Sequence, residues 1–193
     1  MNFKCVWHKR LFDILLASVL IGLASLPMLM IALTIKLTSK GPVLFWSSRM
    51  GKNNRIFRMP KFRTMLIGSP NVATHLMKNP DFYVTSIGRI LRKTSLDELP
   101  QLFSVLQGRM SFVGPRPALF NQHDLIALRT EKGVHQLTPG ITGWAQVNGR
   151  DELPIPTKVE YDTFYTQNRT FKFDLKILLM TILKVFRREG VNH

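Results

Sequence analysis

The chain has 193 residues, with 27 Lys and Arg against 12 Asp and Glu, a net charge of +15. That length suits one domain with a hydrophobic core and an appendage. The charge calls for a polyanionic partner: nucleic acid, anionic lipid or a phosphorylated metabolite. A single cysteine, Cys5, excludes an intramolecular disulfide.

The charge is uneven. Residues 1–80 hold one acid, Asp13, against twelve Lys and Arg. Ile14–Ile35 is a run of 22 uncharged residues. As a helix it would reach about 33 Å, enough for a bilayer core. Lys4, Lys9 and Arg10 precede it, and Lys36, Lys40, Arg49, Lys52, Arg55 and Arg58 follow. Basic flanks on both sides give no preferred crossing direction. Pro27 lacks a backbone donor and its ring clashes with the Leu23 carbonyl, which predicts a kink. Ser25 stands where it can bond a freed backbone group. A bent helix that enters the membrane and returns keeps both flanks on one face. This re-entrant reading is preferred to a full span, and sets the boundaries at 1–40 for the membrane helix and 41–193 for a cytoplasmic, membrane-associated domain. Asp13 can pair with Lys9 or Arg10 at helical spacing.

Gly41-Pro42 is a turn. Val43–Trp46 and Ile56–Met59, separated by a polar stretch, predict a β-hairpin. Arg49 to Arg63 carries six basic residues and no acid. These bind lipid headgroups, or one or two of them, Lys61 and Arg63 first, hold substrate phosphates. Gly68–Asp81, with His75, predicts a loop with a short helix. The five histidines show no metal-ligand spacing.

The central stretch is Leu91–Pro117. Asp97 and Glu98 are adjacent acids bracketed by Arg89, Arg92, Lys93, Arg109 and Arg116. Ser95-Leu96-Asp97-Glu98 fits a capping box at the start of a helix whose buried face is Leu99, Leu102, Phe103 and Leu106. Capping alone accounts for both acids. The alternative is chemistry on a phosphorylated substrate with a divalent metal. In Gly114-Pro115-Arg116-Pro117 two prolines pre-set the backbone around one arginine, which suits an anion clamp or an ordinary rigid turn. Asn121–Glu131 predicts a helix. Thr138–Arg150 predicts a glycine-rich loop leading into a strand and turn, in which Gln146, Asn148 and Arg150 read a base or sugar or serve the turn. Asp174 is predicted to cap a last helix, Leu175–Arg188, of interfacial composition. The fold class is α+β, mainly helical, with a short hairpin and interfacial amphipathic helices.

These pieces, in this order, resemble the small monotopic phosphoglycosyl transferases of the bacterial sugar transferase family. The match includes Lys9-Arg10-Leu11-Phe12-Asp13, Gly41-Pro42-Val43, Lys61-Phe62-Arg63-Thr64-Met65 and Arg92–Gln101. It continues through Gly114–Pro117, Pro139–Arg150 and Tyr161-Asp162. The resemblance implies transfer of a sugar 1-phosphate from a UDP-sugar to undecaprenyl phosphate, with release of UMP and use of Mg²⁺. The short chain is similar to members using N-acetylated sugars. The resemblance also implies a covalent phosphosugar on Asp97, with Glu98 as partner acid. Both acids are candidate metal ligands. Lys61, Arg63, Arg92, Arg116, Gln146, Arg150 and Asp162 are the candidate substrate-binding residues. The implied location is the cytoplasmic face of the bacterial inner membrane, with anionic lipids and downstream glycosyltransferases as partners and no nucleic acid. Three positions depart from the family pattern: Leu26 between Ser25 and Pro27, Arg109 where an acid is usual, and Trp46-Ser47-Ser48 before Arg49. The rival classes are a nucleic-acid-binding protein, which the apolar run and the lack of a recognition motif oppose, and a non-catalytic membrane anchor.

Overall fold

A computed structural model describes residues 3–69, 80–149 and 153–187. Helix α1, Phe3–Thr38, is a single element of 36 residues. It runs through Pro27 without interruption, and Ser25 Oγ donates to the Gly22 carbonyl at 2.8 Å. The stretch Trp7–Thr38 is long and apolar enough to cross a membrane.

Both ends of α1 are held by the same globular body. Near its start, Ala17 is buried with Leu102 and Val105 of α3 (Gln101–Leu106) and Ile177 of α7 (Phe171–Arg187). Near its end, Ile35 is buried with Phe62 and Leu91. Between them Leu23 and Leu26 are 74% and 67% exposed. Arg10 donates to the Val105 and Leu106 carbonyls, both at 2.6 Å, and so closes the C-terminal end of α3.

Strands β1 (Leu44–Met50) and β2 (Ile56–Phe62) form the expected antiparallel hairpin. It is longer than the two short runs suggested and turns through a 3₁₀ segment, Lys52–Asn54. Helix α2, Ser86–Thr94, follows, capped by Thr85, whose Oγ1 accepts from Gly88 N at 3.0 Å. The loop expected over Gly68–Asp81, with His75, lies largely outside the described residues; Pro80–Tyr83 is a 3₁₀ turn.

Beyond α3, β3 (Ser111–Val113) pairs in parallel with β4 (Gly140–Thr142). Helix α4, His123–Glu131, lies between them in sequence. Where a turn was expected after β4, Trp144–Val147 forms a short helix, α5. Helix α6, Ile155–Asn168, packs on α4 through Val159 against Leu125. Helix α7 starts earlier than predicted. Its cap is Thr170, which accepts from Phe173 N at 3.1 Å, and not Asp174. Asp174 instead takes Lys9 Nζ at 2.6 Å and Tyr165 Oη at 2.6 Å, joining α1, α6 and α7. Asp13 is buried and accepts from Phe112 N at 3.1 Å, tying α1 to β3 rather than pairing at an interface.

Candidate active site

The capping box does not form. Ser95 has φ 57 and ψ 17 and ends α2, its N–H bonding the Arg92 carbonyl. Leu96–Glu98 is a 3₁₀ turn, Ser95 makes no side-chain cap, and α3 begins only after Pro100. The two acids are thus free of a helix start. A 3₁₀ turn sets successive side chains about 120° apart. Asp97 is buried, while the side chain of Glu98 keeps 23% of its exposure.

Four elements bring cations to these acids. Lys61 of β2 places Nζ 2.6 Å from Glu98 Oε1 and 3.9 Å from Asp97 Oδ2. Arg116 Nη2 lies 3.8 Å from Glu98 Oε1. Arg92 of α2 donates through Nε to Thr64 Oγ1 at 3.0 Å and lies in the field of Asp97. Arg49 of β1 lines a small pocket with Glu98, Gln101, Arg116, Pro117 and Gly140. Arg49 and Gln101 were not among the predicted site residues. Arg49 was legible in a basic run and as the hairpin arginine after Trp46-Ser47-Ser48, and Gln101 only as the end of the Arg92–Gln101 match.

This field splits the pair. Burial pushes Asp97 above the ordinary carboxylate range; Lys61 opposes the shift, the Glu98 charge adds to it and Arg92 opposes it. Burial also works against the Glu98 charge, but Lys61, then Arg116 and Arg49, outweigh it and hold that carboxyl at about 2. Glu98 is therefore a fixed anion, whereas Asp97 is the more basic of the two.

The Gly114–Pro117 turn is built by close backbone packing. Gly114 N donates to the Thr142 carbonyl at 2.9 Å and Gly140 N to the Pro115 carbonyl at 3.0 Å. A Cβ on Gly140 would lie 2.1 Å from Gly114 N, and one on Gly143 would lie 2.1 Å from Gly114 O, so no side chain fits at either. Met50 N donates to the Ala118 carbonyl at 2.9 Å, and Arg49 Nη1 to the Pro117 carbonyl at 3.2 Å. The hairpin and β4 thus grip the turn from two sides.

The other predicted residues are dispersed. Arg63 is buried and donates to the Lys40 carbonyl (2.8 Å), the Ser39 carbonyl (3.0 Å) and Ser39 Oγ (2.6 Å), so its guanidinium closes the end of α1. Asp162 is 1% exposed, and its Oδ2 accepts from Arg129 Nε at 2.9 Å and Nη2 at 2.6 Å. Gln146 sits buried in α5, its amide without a hydrogen-bond partner among the described residues. Arg150 lies outside the described residues. Among the described residues no three His, Cys, Asp or Glu side chains form a metal-ligand cluster.

The sequence pattern of the bacterial sugar transferases matches residues 4–188, and the chain belongs to that family. It is 42% identical over 187 residues to an uncharacterized sugar transferase, EpsL, of Bacillus subtilis, covering 95% of this chain and 90% of that protein. It is 41% identical to the UDP-glucose:undecaprenyl-phosphate glucose-1-phosphate transferase of Escherichia coli, covering 92% of this chain but 40% of that protein. A similar 41% links it to an N-acetylgalactosaminephosphotransferase of Aeromonas hydrophila, covering 95% of this chain and 45% of that protein. The chain therefore spans nearly all of the Bacillus relative and less than half of the other two.

Proposed function

We propose that this chain transfers a sugar 1-phosphate from an N-acetylated UDP-sugar to undecaprenyl phosphate, releasing UMP. The observation that carries the reading is the charge arrangement at Asp97 and Glu98. Lys61, Arg92, Arg116 and Arg49 surround two carboxylates, so the cluster as a whole is net positive. A UDP-sugar brings a diphosphate with two negative charges.

In this reading an Asp97 carboxylate oxygen attacks the β-phosphorus. The bond from that phosphorus to the bridging oxygen breaks, UMP departs with the electron pair, and an acyl phosphate remains. The phosphate of undecaprenyl phosphate then attacks the same phosphorus and releases Asp97 as carboxylate. No proton need be removed from the nucleophile in either step. Lys61, Arg92 and Arg116 offset repulsion between the anionic partners and stabilise charge on the leaving group. Glu98 stays ionised and keeps Lys61 aimed at the site.

Mg²⁺ belongs to the same proposal. Asp97 and Glu98 offer hard oxygen donors, and Mg²⁺ is commonly held by one or two carboxylates with substrate phosphates and water completing its shell. When bound it supplies charge neutralisation at the diphosphate.

The place of work is the cytoplasmic face of the bacterial inner membrane, with α1 re-entrant. What supports this topology is that Lys9 and Asp13 near one end of α1 and Ser39 and Lys40 just past the other all contact one globular body. A span would separate those ends by a bilayer. Cysteines at Lys4 and Lys40 should label from the same side; labelling from opposite sides would overturn it.

The test of the reaction is UMP release by membrane-extracted protein with undecaprenyl phosphate, Mg²⁺ and a panel of UDP-sugars. Release with an N-acetylated donor, lost in Asp97→Ala, is the expected result. Release that survives Asp97→Ala would remove Asp97 as nucleophile.

A further inference from the structure

Arg129 was singled out by nothing in the sequence, yet it is 7% exposed, and all three of its guanidinium nitrogens are engaged. Two of them fork onto Asp162 Oδ2. The third, Nη1, donates to the main-chain carbonyl of Arg116 at 2.8 Å. We infer that Arg129 and Asp162 are positioning residues for Arg116, acting through the backbone of its turn. The inference rests on the proposed transferase reading, in which Arg116 faces the donor diphosphate.

The turn lacks alternatives at that point. Pro115 and Pro117 have no N–H to donate, so the turn cannot be tied down through its own amides at those two positions. Its neighbours hold the carbonyls of Pro115, Pro117 and Ala118 through β4 and the hairpin. The carbonyl of Arg116, on the residue that carries the functional side chain, is held by Arg129. A lysine could not do this work: it lacks the planar fork that satisfies a carboxylate and a carbonyl at once. Asp162 in turn fixes the fork. Its own oxygen is too deeply placed to meet a diphosphate while Arg129 occupies it. A carboxylate that would be read as substrate-binding from its neighbourhood in the sequence therefore works one residue removed from substrate.

A buried ion pair can also serve the fold alone, and removing one partner leaves a buried charge that can unfold the protein. Replacing both partners with apolar residues of similar size avoids that penalty. The experiment uses the full chain in detergent with four variants: Arg129→Lys, the double variant Arg129→Met/Asp162→Leu, and each of these combined with Arg116→Ala, read against the wild type and Arg116→Ala alone. Two readouts are taken. The first is hydrogen exchange of the peptide covering 111–120, which requires no turnover. The second is steady-state UMP release, with KM for the UDP-sugar separated from kcat.

The expected result is faster exchange confined to 111–120. Donor kcat/KM should fall about 10- to 100-fold, as for a misplaced catalytic group, mainly through KM. In the Arg116→Ala background the same changes should cost less than about two-fold, because the side chain they position is gone. Unchanged exchange at 111–120 overturns the inference. So does an equal loss in both backgrounds, which would mean that the pair acts elsewhere. If the wild type releases no UMP with any donor, the transferase reading fails on its own, and exchange still decides whether Arg129 holds the turn.

Discussion

Lys61 meets the two acids unequally: its Nζ touches Glu98 Oε1 at 2.6 Å and stands 3.9 Å from Asp97 Oδ2. The ammonium thus makes its hydrogen bond to the anion that is already stable and exerts only its field on the buried one. Lys61→Met removes the strongest influence lowering the Asp97 pKa. The acid limb of the pH–rate profile should move to higher pH, and kcat should fall at least about 10-fold near its foot. An unmoved limb would separate Lys61 from the titration of Asp97.

Asp97 carries a cost in stability. Its folded pKa lies above the ordinary 3.8 because burial disfavours the charge. For an acid raised in this way, folding takes up a proton. The penalty is absent well below 3.8 and complete once pH exceeds the folded value. Asp97→Asn should therefore raise Tm at pH 7, lose that advantage at low pH, and abolish UMP release. A chain destabilised by this change at neutral pH would contradict the burial argument.

Glu98 has the opposite sign. Its pKa falls from 4.5 to about 2, so it contributes stability that is present above 4.5 and lost as pH drops through about 2. A shift of that size corresponds to between about 1 and 3 kcal/mol after allowing for the part-exposed side chain. Glu98→Gln should cost that much at pH 7 and much less at pH 2, measured by denaturant unfolding in detergent at both values.

The hairpin and α1 were legible because each has a local cause: two short apolar-rich runs around a polar Gly-Lys-Asn-Asn stretch, and an uncharged run with basic ends. The start of α3 was not. Ser95-x-x-Glu98 satisfies a capping rule by composition, but Ser95 takes a left-handed conformation to end α2, and nothing in four letters reveals a helix ending where another was expected to begin. Asp174 was misplaced for a related reason: Thr170, four residues earlier, is an equally good cap. Trp144–Val147 is too short for a periodicity. Arg63 and Asp162 were noticed as charged residues in motifs, but their partners are Ser39, Lys40 and Arg129. These partners are set by how the end of α1 meets β2 and how α4 packs on α6, contacts that exist only once the chain has folded.

Arg63 separates a phosphate ligand from a helix anchor. Arg63→Ala deletes three charge-assisted hydrogen bonds to Ser39 and Lys40. The expected loss is about 2–4 kcal/mol, with KM for the UDP-sugar within about two-fold in the fraction that remains folded. A large rise in KM with stability intact would return Arg63 to the donor site.

Lys9 couples α1 to the approach of the Arg116 turn. Its Nζ donates to Asp174 Oδ2 at 2.6 Å and to the Val113 carbonyl at 2.9 Å, and Val113 immediately precedes Gly114. Asp174 keeps only 9% of its side-chain exposure and also accepts from Tyr165. Lys9→Met leaves that carboxylate buried without its cation and should cost about 3–5 kcal/mol. Asp174→Asn in the same chain removes the orphaned charge and should recover part of the loss, giving a coupling of at least about 1 kcal/mol in a double-mutant cycle. Thermal unfolding of the four proteins in one detergent makes the measurement. Additive losses would mean that Lys9 acts through Val113 alone, with the Asp174 contact contributing nothing.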